Sequence, residues 1–306
     1  MKLIKPYFEI WEQSAGLEGV YKQIEKVGRV CYKSEDKITE DSAKPFVNRM
    51  IKSGHGAMLE HGTVYLFCPT EEYVDSNGDV QYYNPLEKYQ NNNYSALVDS
   101  NEGIYVTTNL RVLVENGWMG DLQYLCEPTE FHEKRITVHF VCDRGVSHEF
   151  VRHRVMSFAQ ESTRYCNYSK DKFGNELTFI IPEWCPEIRE GSNKGWDPCS
   201  IYDKLYLQHL QNAENTYFAL LKQWDERVPD KRYKSGFKNN PWTPQQARAV
   251  LPNSLKTELV VTGFTSDWNH FFDLRARGTT GAPHPQAKEL AEPLMEEFVT
   301  RKYINN

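Results

Sequence analysis

Apolar residues recur at helical spacing over residues 16–30 and again over 42–53, where Gly54 closes the run. A β-branched and aromatic block at 63–67, TVYLF, predicts a strand. Residues 70–104 are polar, Asn-rich and broken by Gly and Pro, which predicts an excursion from the core carrying a hairpin at Asn77-Gly78. The alternating stretch 136–142, ITVHFVC, predicts a second strand, followed by a short helix over 145–152. Residues 177–181 are strand-like and lead into a loop rich in Pro, Gly and Trp at 182–200. Helical spacing then spans six turns over 201–224. Thr243-Pro244-Gln245-Gln246 has the makings of a capped helix start: a Thr that can cap, Pro at the first helical position, and Gln three residues on. That helix carries Arg248 and stops at Pro252. A strand is expected at 259–262, a helix at 267–277, and a last helix at 286–303 kinked by Pro293. Helices and strands mix without βαβ alternation, so the fold class is α+β, or an irregular α/β, with a mixed sheet core and flanking helices. The chain has no GxGxxG and no P-loop.

Composition narrows the function. With 40% apolar residues and 25% charged ones, the 306-residue chain has material for an ordinary globular core. The net charge of −6 argues against nucleic-acid binding through a general positive field, so any basic cluster needs a local reason. No run approaches the roughly eighteen apolar residues of a membrane span. The opening MKLIKPYFEIWEQ turns acidic and aromatic too early for a secretory signal. Seven scattered cysteines, without a CxxC pair, fit reduced thiols in a cytoplasmic protein better than a disulfide framework or structural zinc.

The basic cluster is RHRVMSFAQESTRY, residues 152–165. A solvated helix face would not place Arg152, His153 and Arg154 consecutively, because on a helix they point in three directions. At the end of an element such a triplet can converge on one ligand, and Ser157, Gln160, Ser162 and Arg164 extend the donor supply through a turn-like segment. Arginine suits bidentate phosphate recognition, with hydroxyls and amides completing the shell, so a phosphate or nucleotide pocket is favoured over a decorative surface. A zinc site of the helical kind needs two histidines four residues apart. His148 and His153 are five apart, about 100° out of register.

The cluster closely resembles the signature of the flavin-dependent thymidylate synthases, Arg-His-Arg, two residues, Ser, then Ser-x-Arg-Tyr. Its anchors here are Arg152, His153, Arg154, Ser157, Ser162, Arg164 and Tyr165. Glu60-His61-Gly62-Thr63 is similar to the family's Glu-His element. Ala247-Arg248, Leu251-Pro252, Thr257, Thr262 and His270-Phe271-x-x-Leu274-Arg275 follow its C-terminal pattern in order. The resemblance implies a single domain over 1–306, with insertions at about 70–130 and 183–200 because the family core is shorter. It implies the family's fold and the reductive methylation of dUMP to dTMP. Methylenetetrahydrofolate would give the carbon, and FAD reduced by NADPH the hydride, in a homotetramer.

By the same resemblance His61, Thr63, Arg152, His153, Arg154, Gln160 and His270 would hold FAD. Glu149, Arg152, Gln160, Ser162, Thr163, Arg164, Arg248 and Arg275 would bind dUMP, with Arg275 against the uracil as the catalytic residue. One departure stands out. Where many members carry Asn-x-Arg to contact FAD, this chain has Phe264, Thr265 and Ser266. Two other classes remain open on the residues alone. A non-catalytic nucleotide or RNA binder could use the same Arg and Tyr side chains. A thymidylate synthase of the classical type would need a cysteine nucleophile, for which Cys166, two residues past Arg164, and Cys199 are the candidates.

Overall fold

The computed structural model describes residues 1–186, 188, 200–222 and 241–305, so the loop around Cys199 lies outside the described residues. The chain divides into two compact units. The smaller comprises Met1–Tyr7, Val141–Phe150 and Glu161–Glu258; the larger comprises Phe8–Phe140, Val151–Gln160 and Leu259–Asn306.

The chain opens with β1 (Lys2–Ile4) and β2 (Tyr7–Trp11), two short strands that the apolar pattern did not announce. Then come α1 (Gly16–Tyr32), α2 (Ala43–Lys52), α3 (Gly56–Leu59) and β3 (Thr63–Pro69). A hairpin, β4 (Glu71–Val74) and β5 (Val80–Tyr83), precedes β6 (Ala96–Ser100), β7 (Gly103–Asn109) and α4 (Leu110–Glu115). The motif region holds β8 (Arg135–Asp143), α5 (Arg144–Phe150) and β9 (Ser157–Gln160). Last are β10 (Thr178–Ile180), α6 (Ile201–Leu221), α7 (Pro244–Ala247), β11 (Lys256–Phe264), α8 (Thr265–Phe272) and α9 (Pro285–Thr300). Helix and sheet are mixed without βαβ regularity, and the class is α+β.

In the larger unit α1 buries Val20, Ile24 and Val27, one helical face at spacings of four and three. Gly28 on the same helix lets Phe46 come close; a Cβ there would sit 2.6 Å from the ring. The hairpin at Asn77-Gly78 forms as expected: Gly78 takes φ +87°, and Asp75 Oδ1 accepts the N–H groups of Asn77 and Asp79. Its strands are exposed, but the excursion ends sooner than the composition suggested. All seven residues of β7 are buried, and β7 pairs antiparallel with β3 from Thr63–Asn109 to Pro69–Gly103. The β-branched run IYVTT outweighs the polar residues around it.

A second sheet runs β2-β8-β11-β9. Here the second half of the basic cluster differs from expectation, for Ser157–Gln160 is a strand paired antiparallel with Leu259–Thr262 rather than a turn. Ser157 and Ala159 are buried and Phe158 and Gln160 half-buried, an alternation too short to stand out among polar neighbours. Behind this sheet Trp268 is wholly buried against Phe140, Phe271, Phe272 and Phe298, and its indole N–H donates to Ile136 O at 3.1 Å.

In the smaller unit β1 lies parallel to β10, and Phe179, Leu210, Tyr217 and Leu255 fill the core. The expected helix start at Thr243 is present with its capping box, the Thr243 N–H donating to Gln246 Oε1 at 2.9 Å. Helix α7 is a single turn and passes into a tighter turn over Arg248–Val250. Half-buried Lys256 lies between Glu161 Oε2, at 2.9 Å, and Glu258, while Tyr168 donates its hydroxyl to Glu161 at 2.8 Å. Removing one partner of a buried charge network leaves the others uncompensated. Lys256→Met is therefore expected to destabilise the protein by about 3–5 kcal/mol in urea unfolding. An unchanged unfolding midpoint would show that the two carboxylates do not depend on it.

Candidate functional site

The Arg-His-Arg triplet sits on the turn between α5 and β9. Arg152 and Arg154 are exposed there and His153 is buried, so the turn presents two guanidinium groups and withdraws the imidazole between them. His153 packs on Phe271 with centroids 5.0 Å apart and meets His270 edge-on at 5.8 Å. Its Nε2 accepts from Arg275 Nε at 3.3 Å. Burial first, and then the neighbouring Arg275 guanidinium, push the His153 pKa down to about 4. The ring is thus neutral at pH 7, and an accepting Nε2 places its proton on Nδ1. Arg275 itself lies in a π-helical turn, Asp273–Arg277, that follows α8 and ends at Gly278 in the left-handed region. Such widened turns recur at functional sites.

His61 is fully buried, with Nδ1 bonded to Thr262 Oγ1 at 2.8 Å, and Thr262 in turn to Thr137 at 2.8 Å. Burial first, and then Arg135, lower its pKa to about 3. Thr63 exchanges two hydrogen bonds with the Gln13 side chain and accepts from Arg135 Nη1 at 3.3 Å. Gln160 is half-buried on β9.

Sequence reasoning passed over Arg135. It is buried at the first position of β8. Nη1 donates to Glu60 O at 3.0 Å and Nη2 to Ser157 Oγ at 3.4 Å, while the group faces the Phe264 ring at 5.4 Å. Burial lowers its pKa to about 10. The one available signal was a charged residue directly ahead of the apolar strand ITVHFVC, where solvent exposure is the ordinary expectation. Arg135, Arg154, Ser157 and Phe264 line a cavity of about 480 Å³ with Asn109 and Arg111.

In the smaller unit Ser162 closes a turn. Its hydroxyl accepts the Arg164 N–H at 3.3 Å, and its carbonyl accepts from Tyr165 and Cys166 at 3.2 and 2.9 Å. Thr163 is buried and accepts from Arg248 Nη1 at 3.3 Å, which joins two motif blocks distant in sequence. Arg164 is exposed over the Tyr165 ring, and Glu149 is half-buried in the last turn of α5. Each unit therefore assembles part of the candidate set: His153, His270 and Arg275 in one cluster, Thr63 and Ser157 through Arg135, and the Ser162–Arg164 turn with Arg248. Among the described residues no group of three or more His, Cys, Asp or Glu is arranged to hold a metal ion.

An α+β protein that spends arginines, hydroxyls and neutral imidazoles in this way is a binder of anionic organic ligands. The chain belongs to the thymidylate synthase complementing protein family, which it matches over residues 122–301, a span that holds every motif residue except those of Glu60-His61-Gly62-Thr63. It is 23% identical over 268 residues to a flavin-dependent thymidylate synthase of Corynebacterium aurimucosum, covering 87% of this chain and 72% of that protein. A flavin-dependent thymidylate synthase of Thermococcus onnurineus is 32% identical over 135 residues, and one of Corynebacterium efficiens 31% over 136. Those two alignments cover 44% of this chain each, and 43% and 46% of the respective proteins. A UMP/dUMP methylase, PolB of Streptomyces cacaoi, bound with 5-Br dUMP, aligns over 98% of this chain and 93% of its own at 17% identity and a TM-score of 0.40.

The two buried histidines set a pH dependence whose sign follows from their lowered values. The unfolded chain, with histidine near 6.5, takes up protons first as the pH falls. Stability is then unaffected by these groups above about pH 6.5 and declines below it, by at most about 1.4 kcal/mol per pH unit for each ring. His61→Asn is expected to flatten the stability curve between about pH 6 and 4 by up to that slope. Imidazole resonances of His61 and His153 that titrate near pH 6.5 would contradict the assignment.

Proposed function

We propose that the protein is a flavin-dependent thymidylate synthase. It methylates dUMP to dTMP with methylenetetrahydrofolate as carbon donor and FAD, reduced by NADPH, as hydride source. The observation that carries this reading is the bond between Arg275 and His153, 122 residues apart in sequence. Two motif blocks that matched the family separately meet there at one point.

The residues fit a flavin dinucleotide. A polar cavity with Arg154 on its wall and a buried, unpaired Arg135 Nε atom suits a large anionic ligand. Arg152, His153, Arg154, His61, Thr63, Gln160 and His270 are the FAD residues; Glu149, Arg152, Gln160, Ser162, Thr163, Arg164, Arg248 and Arg275 are those of dUMP. When bound, FAD supplies the redox step, and the chain orients and polarises. Uracil C5 becomes nucleophilic as negative charge develops on the ring, and a guanidinium beside N3 and O4 stabilises that charge. This is the role of Arg275. Neutral His153 fixes its Nε side without adding a competing positive charge. Ser162 serves phosphate binding, its hydroxyl already engaged in the turn. Among the candidate thiols, Cys166 is buried in the apolar cluster with Leu177, Phe179 and Leu255, and burial there leaves it as packing rather than a nucleophile.

Arg275→Ala is expected to retain flavin, read as visible absorbance bleached by NADPH, and to lose about 10²–10³ in the rate of dUMP methylation. Wild-type turnover in this variant would remove Arg275 from the chemistry, and a protein that takes no flavin would remove the synthase reading itself. The active assembly is a homotetramer with FAD at subunit interfaces. Light scattering on the flavin-loaded protein is expected to give four times the chain mass, and a fully active monomer would refute it.

A further inference from the structure

The stretch after the hairpin, part of the expected insertion at about 70–130, builds one wall of the 480 Å³ cavity with Asn92, Asn93, Asn109 and Arg111. Opposite stand Arg135 and Arg154. The charges around this space are unevenly committed. Arg111 is tied to Glu60 at 2.5 Å and to Glu115 at 2.7 Å. Asp267 accepts the Phe264 N–H at 3.0 Å and caps α8. Arg135, only 9% exposed, makes no direct ion pair among the described residues; Glu60 and Asp267, also in the cavity wall, favour its charge only through space, and its Nε has no hydrogen-bond partner. A buried cation without a direct ion pair is costly, and such perturbed groups cluster at functional sites.

The Phe264-Thr265-Ser266 segment cannot supply the donors that many family members place there. Phe264 offers a ring to Arg135, while the Thr265 hydroxyl and Ser266 N–H are both turned to Glu133, at 3.4 and 3.0 Å. Asn109-x-Arg111 brings the same pair of side-chain types to the cavity from the other wall. Asn109 accepts the Val112 N–H through its carbonyl oxygen at 3.2 Å, an arrangement that orients its amide.

The geometry points to Arg135 as the buried counter-charge for the diphosphate of the flavin cofactor, with the 92–116 segment taking over the adenosine-side contacts that residues 264–266 lack. This rests on the flavin reading above and extends it to residues that carry no family motif. The size of the cavity suits a nucleotide rather than an inorganic ion. Its asparagine amides can donate to and accept from sugar hydroxyls and a purine edge, while Arg135 and Arg154 supply the charge for the phosphates.

The test is calorimetric titration of the flavin-free protein with FAD, riboflavin and dUMP. Arg135→Met is expected to weaken FAD at least about thirtyfold and leave riboflavin within about threefold, with Arg135→Lys in between. Asn93→Asp, an exposed change that spares the core, adds negative charge to the rim and is expected to weaken FAD about tenfold without altering riboflavin. It keeps the proposal testable should Arg135→Met fail to fold. If both variants keep the wild-type preference for FAD over riboflavin, the assignment is wrong. If Arg135→Met instead loses dUMP and keeps FAD, the cavity belongs to the substrate phosphate and the assignment is equally overturned. A wild-type protein that binds neither flavin overturns the synthase reading, a result told apart because no variant is needed to see it.

Discussion

One guanidinium, that of Arg135, holds together the part of the larger unit where the motifs gather. It bonds Glu60 and Thr63 at the entry to β3 and Ser157 at the start of β9, three points up to 97 positions apart on the chain. No apolar residue could replace it there without stranding a backbone carbonyl and two hydroxyls. The arrangement has a consequence for its neighbours. A permanent buried charge makes a second cation nearby unfavourable, so His61 is held neutral by burial and by Arg135 together.

The same logic recurs around Arg275. His153 is denied its proton by burial and by the guanidinium it touches, and can therefore accept from it rather than repel it. Each imidazole next to a cation is neutral for a reason that lies in packing: Phe271 against His153, and the Thr262–Thr137 hydroxyl pair beyond His61. In the smaller unit the corresponding device is ionic. Glu161, immediately before Ser162, is fixed by Lys256 and Tyr168, and the turn that carries Ser162 and Arg164 starts from that fixed point.

Periodicity made the long elements legible: α1, α2, α6 and the apolar strands β3, β8 and β11 stand within a few residues of where the pattern put them. It failed for elements whose identity comes from pairing. The strand β9 is four residues long and exists because β11 lies beside it; β7 is hidden by Asn and Ser around it. The motif residues were readable because arginine clusters in a net-acidic chain demand a local cause. Arg135 was not, since a single charged residue before a strand looks like a solvated edge until the fold buries it. Asn109 and Arg111 were missed for a different reason, standing past the polar excursion in a span set aside as an insertion to a shorter family core.

An acidic chain that binds anions has to overcome its own field. At physiological ionic strength charges more than about 8 Å away are largely screened, so the distant carboxylates behind the net charge of −6 matter little to a ligand in the cavity. What matters is how many nearby cations are already neutralised. Arg111 has two carboxylates and can offer a ligand mainly geometry. Arg135 makes no direct ion pair among the described residues, Glu60 and Asp267 acting on it only through space, and near the surface two unit charges 4 Å apart interact by about 4 kcal/mol. The difference between the two arginines is thus one of commitment: Arg111 is neutralised by direct ion pairs, whereas Arg135 spends its donors on a carbonyl and two hydroxyls and keeps its charge.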